Sequence, residues 1–266
     1  MRLRQLIATS AIFIAVQPGL EAAQPTAPAS PSPTTVVILE LFTSEGCSSC
    51  PPADKLLRQV HLKETGAGQL IVGISEHVTY WNNLGWKDPY SAQVFTDRQS
   101  AYASRLSLEG PYTPQMVVNG RDQFVGGNGG ALESALQSDA RRPHADLRIV
   151  SSALSGKGID ATFSFSGQAK KPLDLIAVIT DDADRSNVLR GENSGRLLEH
   201  VSVARTLVKV ATVTGDTESA IHLPLPDGLK ATSGSGHHLV LFVQEGHQGA
   251  ILGAAVTALE TPKEML

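Results

Sequence analysis

The amino-acid sequence predicts an α/β domain of order β-α-β-α-β-β-α followed by an all-β, sandwich-like domain. Three observations carry this expectation. Between Val36 and Arg142, short apolar runs rich in β-branched residues alternate with stretches of helical period, the pattern of strands buried on both faces and covered by helices. From Pro143 onward the texture changes to alternating apolar and polar residues broken by turn signals, as in a β-sandwich. The chain has 266 residues, 41% hydrophobic and 18% charged, which is globular composition with enough length for one large or two medium domains.

Residues 1–22 begin with Arg2 and Arg4, continue through an apolar stretch over residues 6–16, and end in small residues at Ala22-Ala23. This is the form of a secretory signal peptide, and the apolar stretch is too short to span a bilayer, which takes about 20 residues as a helix. The expected location is therefore outside the cytoplasm, periplasmic or secreted, with no membrane span left after cleavage. Residues 23–35 form a Pro/Ala/Ser/Thr-rich tether with nothing to bury. The first domain is expected over 36–142 and the second over 143–266.

Within the first domain, residues 36–42 form an apolar run interrupted only by Glu40 and read as a strand. A helix follows from Pro51, because proline is tolerated in a first turn and Leu56, Leu57 and Val60 recur near helical spacing. Residues 70–75 repeat the strand signal, and residues 91–106 a helical one. Asn119-Gly120 sits between two short apolar segments, 116–118 and 123–125, and predicts a hairpin. Residues 132–141 close the domain as an amphipathic helix. Seven strands are expected beyond it, at 145–150, 159–165, 173–180, 200–213, 219–223, 239–244 and 251–259.

The formal net charge is −4, from 22 basic and 26 acidic residues, with no cluster of Lys or Arg. No electrostatic footprint for nucleic acid or an anionic membrane is present. The only two cysteines are Cys47 and Cys50, spaced Cys-Ser-Ser-Cys between the first strand and the first helix. Four-cysteine zinc is excluded by count. As a staple the pair would close a four-residue loop and contribute only about 2 kcal/mol by loop entropy. As a redox pair it is well placed, because a helix N-terminus stabilises the thiolate that attacks a disulfide. Cys47 is expected to be the more exposed, attacking thiol and Cys50 the resolving one.

Thr113-Pro114 precedes Met116-Val117-Val118-Asn119-Gly120, which resembles the cis-proline loop and following hairpin of the thioredoxin superfamily. More narrowly, residues 40–54, 81–89 and 190–196 resemble an uncharacterised secreted bacterial family known as domain of unknown function 1223. The resemblance implies a thioredoxin-like fold for the first domain and a redox role for Cys47, Cys50 and Pro114, and it leaves the substrate open. Glu40, in an otherwise apolar strand, is similar to the buried acid that thioredoxins keep before their cysteines, with glutamate in place of aspartate. It is expected either to carry protons or to be bonded for structural reasons.

His77 follows the second strand and falls on the same sheet edge as the cysteines, where ligands of open α/β sheets collect. Trp81 and Trp86 lie in a loop rich in aromatics and, with His77 and Thr113, are candidate contacts for a polypeptide substrate. The expected function is exchange of disulfides with protein thiols or disulfides, without a cofactor. Two alternatives stand beside it. Cys47, Cys50 and His77 offer a soft donor set suited to copper(I) binding or delivery, and a binding or interaction module of the envelope would need no chemistry from the cysteines. Residues 192–196 are expected to be a turn, with a binding role as the alternative, and His237, His238 and His247 show no metal-ligand spacing.

Overall fold

A computed structural model describes residues 35–155, 158–226 and 236–259; the expected signal peptide and nearly all of the tether lie outside these residues. The first half follows the expected order. Strand β1 (Thr35–Thr43) leads through the cysteine turn into helix α1 (Pro51–Val60), and a two-residue strand β2 (Lys63–Glu64) precedes β3 (Gln69–His77). Helix α2 (Gln93–Arg105), the hairpin β4 (Gln115–Val118) and β5 (Asp122–Val125), and helix α3 (Gly129–Asp139) follow. The second half is entirely β among the described residues: β6 (Asp146–Ser155), β7 (Gly158–Ser166), β8 (Leu173–Asn187), β9 (Leu197–Val213), β10 (Thr217–Leu223), β11 (His237–Glu245) and β12 (Ile251–Leu259).

The assembly of these elements overturns the expected fold class. An α/β thioredoxin-like domain followed by a separate sandwich does not form. A single nine-stranded mixed sheet runs in the order β12-β11-β8-β9-β3-β1-β4-β5, with β2 paired to β3, and only β10-β7-β6 form a second sheet. The described residues fall in one compact unit. The junction is at β3, which pairs in parallel with β1 on one side and meets β9 through Ser75 and Val203 on the other.

The physical reason is that β8 and β11 are apolar on both faces. Leu175, Ala177, Ile179, Leu239, Leu241 and Val243 pack with Phe163 and Phe165 of the small sheet. Their alternate neighbours Ile176, Val178, Val240 and Phe242 join Ile38, Val72 and Ile74 of β1 and β3, and Phe95 of α2. Strands that bury both faces belong in the interior of a sheet rather than in a two-layer sandwich with one wet side. The opposite face of β1 carries Val37, Leu39 and Leu41 and packs against α1 and α3 through Ala53, Leu57, Leu132 and Leu136. Thus α1, which begins at the cysteines, is seated on the odd-numbered face of β1.

Candidate functional site: a shielded disulfide

Cys47 and Cys50 are joined in a disulfide, with 5.4 Å between their Cα atoms. The turn that carries them is tied by its own backbone: the Cys47 N–H donates to the Ser44 carbonyl at 3.1 Å and the Cys50 N–H to the Cys47 carbonyl at 3.2 Å. Cys50 is the N-cap of α1, and Pro51 and Pro52 occupy the first two helical positions. Neither proline has an N–H, and the next two amides, of Ala53 and Asp54, both donate to the Cys50 carbonyl. The helix end therefore offers its dipole but few free donors, and the hydroxyl of Ser49, 3.3 Å from the Cys47 sulfur, is the nearest polar partner.

The expectation that Cys47 is the exposed thiol is corrected. Both cysteines have 0% exposure, whereas Ser48 and Ser49 between them are exposed. What encloses the turn comes from far along the chain, in the connection between β8 and β9. The buried Asn193 side chain donates from its amide nitrogen to the carbonyls of Glu45 and Cys47, at 2.9 Å each. The Glu192 carboxylate accepts the Ser48 N–H at 3.1 Å, and its bonding to the Ser48 side chain and then to that backbone lowers its pKa. The connection is internally braced, because the Val188 N–H donates to the Arg196 carbonyl, the Gly195 N–H to the Val188 carbonyl, and Arg196 to the Asn193 Oδ1. Residues 192–196 are thus a turn, as expected, but one used as a cap.

Beneath the turn is a layer of buried ionisable groups. His200 of β9 lies with Nε2 3.4 Å from Glu45 Oε1 and Nδ1 3.7 Å from Asp54 Oδ1. Both separations exceed a normal hydrogen bond, so the pairing is chiefly coulombic. Burial works to lower the imidazole pKa, but Asp54 and Glu45 outweigh it and push it up to about 10. Asp54 also accepts from the Thr43 hydroxyl at 3.0 Å and borders a cleft of about 100 Å³ beside Arg58 and Leu197. Asp54 lies one helical turn beyond Cys50, on the same face of α1.

The sequence-derived candidates fall into three groups. His77 is fully buried and edge-on to His200, with ring centroids 4.7 Å apart. Its Nδ1 bonds Asp88 at 2.7 Å and its Nε2 meets the Ser75 hydroxyl at 3.3 Å. Burial would raise the Asp88 pKa, but the contacts with His77 and two backbone amides reverse this and lower it. With both ring nitrogens engaged, His77 is part of the buried layer rather than a substrate contact, and among the described residues no group of three or more His, Cys, Asp or Glu is arranged to hold a metal ion.

The second group is brought to the cysteine turn. Trp86 donates to Glu45 at 2.7 Å. Trp81 donates to the Thr113 hydroxyl at 2.8 Å and abuts Gly46, where an added Cβ would lie 3.1 Å from the Trp81 Cβ. The Thr113-Pro114 bond is cis, and Pro114 packs beside Gly126 and Ala53 at the start of α1. The third group is Glu40 alone, which faces away from α1. It bonds Arg98 of α2 and accepts from the Tyr102 hydroxyl at 2.7 Å, on the side of β1 away from the cysteine helix.

Sequence reasoning missed His200, Asp54, Glu192 and Asn193 as parts of the site. Asp54 carried a signal, its four-residue spacing from Cys50 in a helix. Glu192 and Asn193 carried only their place in the 190–196 segment that resembles the family, which gave no link to the cysteines 146 residues away, and His200 carried no signal, being in a different predicted domain.

Together these features define a β-rich protein with helices on a mixed sheet, built around a Cys-Ser-Ser-Cys disulfide at a strand-to-helix turn and shielded by a distant loop. The chain belongs to the family described as protein of unknown function DUF1223, which matches residues 38–244. Among solved structures it is similar to protein AGR_C_4864 from Agrobacterium tumefaciens, with 26% identity, a TM-score of 0.63, and coverage of 85% of this chain and 95% of that one. A Pseudomonas fluorescens alkylpurine DNA glycosylase bound to DNA matches 48% of this chain and 33% of its own at 14% identity, with a TM-score of 0.23, too low to carry any argument. No curated protein matches.

Proposed function

We propose that this chain is an exported protein that exchanges disulfides with the thiols of other proteins through Cys47 and Cys50. The observation that carries the reading is the way the disulfide is covered. A bond across four residues staples little, about 2 kcal/mol by loop entropy, yet residues from β9 and the β8–β9 connection converge on it. The covering loop makes three hydrogen bonds to the turn backbone, and hydrogen bonds to backbone groups are readily replaced by those of another chain. Export accords with residues 1–22, and an oxidising compartment keeps such a pair bonded.

In the oxidising direction, a client thiolate attacks the Cys47 sulfur. The Cys47–Cys50 bond breaks, a client–Cys47 bond forms, and Cys50 leaves as a thiolate that takes up a proton. A second client thiolate then attacks the client sulfur of the mixed disulfide and releases Cys47. The client dithiol has lost two electrons and two protons, and the protein carries both as two thiols. In the reducing direction the same steps run backwards, with Cys47 attacking.

Trapping tests this. With Cys50→Ser, Cys47 should accumulate mixed disulfides resistant to non-reducing electrophoresis and absent in Cys47→Ser. An absence of trapped clients in both the capped protein and an uncapped variant overturns the reading in favour of a binding role without chemistry.

A further inference from the structure

We propose that residues 188–196 hold the place of a client polypeptide, so that a client engages the cysteines by displacing Glu192 and Asn193 from the backbone of the cysteine turn. This rests on the disulfide-exchange reading and names the substrate class for it: an extended, unpaired segment of polypeptide.

The cap and an extended polypeptide match in donors and acceptors. The cap satisfies three backbone groups of the turn: it supplies an acceptor to the Ser48 N–H, from Glu192, and a donor to the carbonyls of Glu45 and Cys47, from Asn193. An acceptor and a donor a few ångströms apart on one side are what one residue of an extended chain offers, its own C=O and N–H. The backbone of a helix or an interior strand cannot supply them, because its groups are already paired. An apolar small molecule cannot supply them at all. In this closed arrangement Cys47 has no exposed surface, so exchange requires the turn to be uncovered.

The surroundings suit such a client. Leu84, Leu189 and Leu197 are exposed by 58%, 72% and 56% respectively, although they are large and apolar. Leu84 and Leu189 belong to loops that touch each other where Gly85 meets Gly191 at 3.4 Å from an added Cβ. Both glycines have positive φ, 100° and 76°, a backbone conformation in which a side chain would be strained. The apolar rim offers contact to side chains of any sequence, while the backbone of the turn supplies the hydrogen bonds.

The test measures protection of the disulfide in the full chain. Reduction by dithiothreitol should accelerate roughly tenfold in Asn193→Ala and severalfold in Glu192→Ala, the loss expected when one or two hydrogen bonds no longer hold the cap. Asn193 is buried, so Glu192→Ala, at an exposed position, keeps the test valid if Asn193→Ala fails to fold; the melting temperature identifies that case. A short Ser/Thr-rich peptide without cysteine should then slow reduction of the uncapped variants and leave the parent unaffected, because it fills the vacated backbone positions. Equal reduction rates in parent and variants overturn the cap, as does a peptide that slows none of them. Loss of protection and peptide competition without any client trapped in the Cys50→Ser background would leave the binding site standing and overturn disulfide exchange, so the two failures are distinguishable.

Discussion

His200 keeps a charge that a buried imidazole would shed if Asp54 and Glu45 were absent. Its pKa is about 10 in the folded protein against 6.5 unfolded, so the folded state binds the extra proton. The resulting stabilisation is fully present below pH 6.5 and is lost as pH rises through 10. Urea unfolding at pH 6 and pH 10 should show a fall of a few kcal/mol, and His200→Gln should abolish most of that difference while lowering stability at pH 6. The same sign holds at Glu76, where the charge change is the reverse and the proton keeps the group neutral. Burial and the neighbouring Glu40 raise its pKa well above 4.5 although Arg98 opposes them, so this carboxyl favours folding at low pH and costs stability as pH rises. Glu76→Gln should therefore stabilise the protein near pH 7. Glu40→Gln should destabilise it by a few kcal/mol, because Arg98 loses its closest carboxylate in a site where it is only 4% exposed. Comparing the urea midpoints of the two variants checks both signs.

Helix α1 is held to its place at two glycines that admit no side chain. A Cβ at Gly73 of β3 would lie 2.6 Å from Leu57 Cδ1, and one at Gly126 would lie 2.7 Å from Ala53 Cβ and 2.9 Å from Pro114 Cβ. Gly126→Ala should cost about 1 to 3 kcal/mol by overpacking. It should also change the dithiothreitol reduction rate, since it pushes Pro114 and the first turn of α1 apart; an unchanged rate with lowered stability would show that the turn is insulated from the hairpin. At this scale the sequence was informative. Every helix and nearly every strand lies where period and turn signals place it, because local patterning decides which element forms. The two-residue β2 was missed because Lys63 and Glu64 are exposed and carry no apolar pattern.

The joining of the two halves was harder to read, although part of it was visible. Leu239 to Val243 is as continuously apolar as the run in β1, and the rule that placed β1 between two layers applies equally to β11. What the sequence could not supply is partner choice, since which strand lies beside β3 depends on contacts more than a hundred residues apart. The same holds for the site: the cysteines and Thr113-Pro114 were legible as local motifs, while Asn193 and His200 acquire meaning only once β8 and β9 join the central sheet. Because Arg98 of α2 also donates to Gln244 at 3.1 Å and one core spans β1, β3, β8 and β11, a fragment ending at residue 142 should not fold cooperatively. The whole chain should unfold in one transition by calorimetry, and two separable transitions would contradict this. The long span between the cysteine turn and its cap also orders events in time. Ribosomes deliver a chain from its N-terminus, so the two thiols exist for roughly another 140 residues of synthesis before Glu192 and Asn193 do. A newborn molecule therefore has naked, reactive sulfurs, and only a finished one keeps them private.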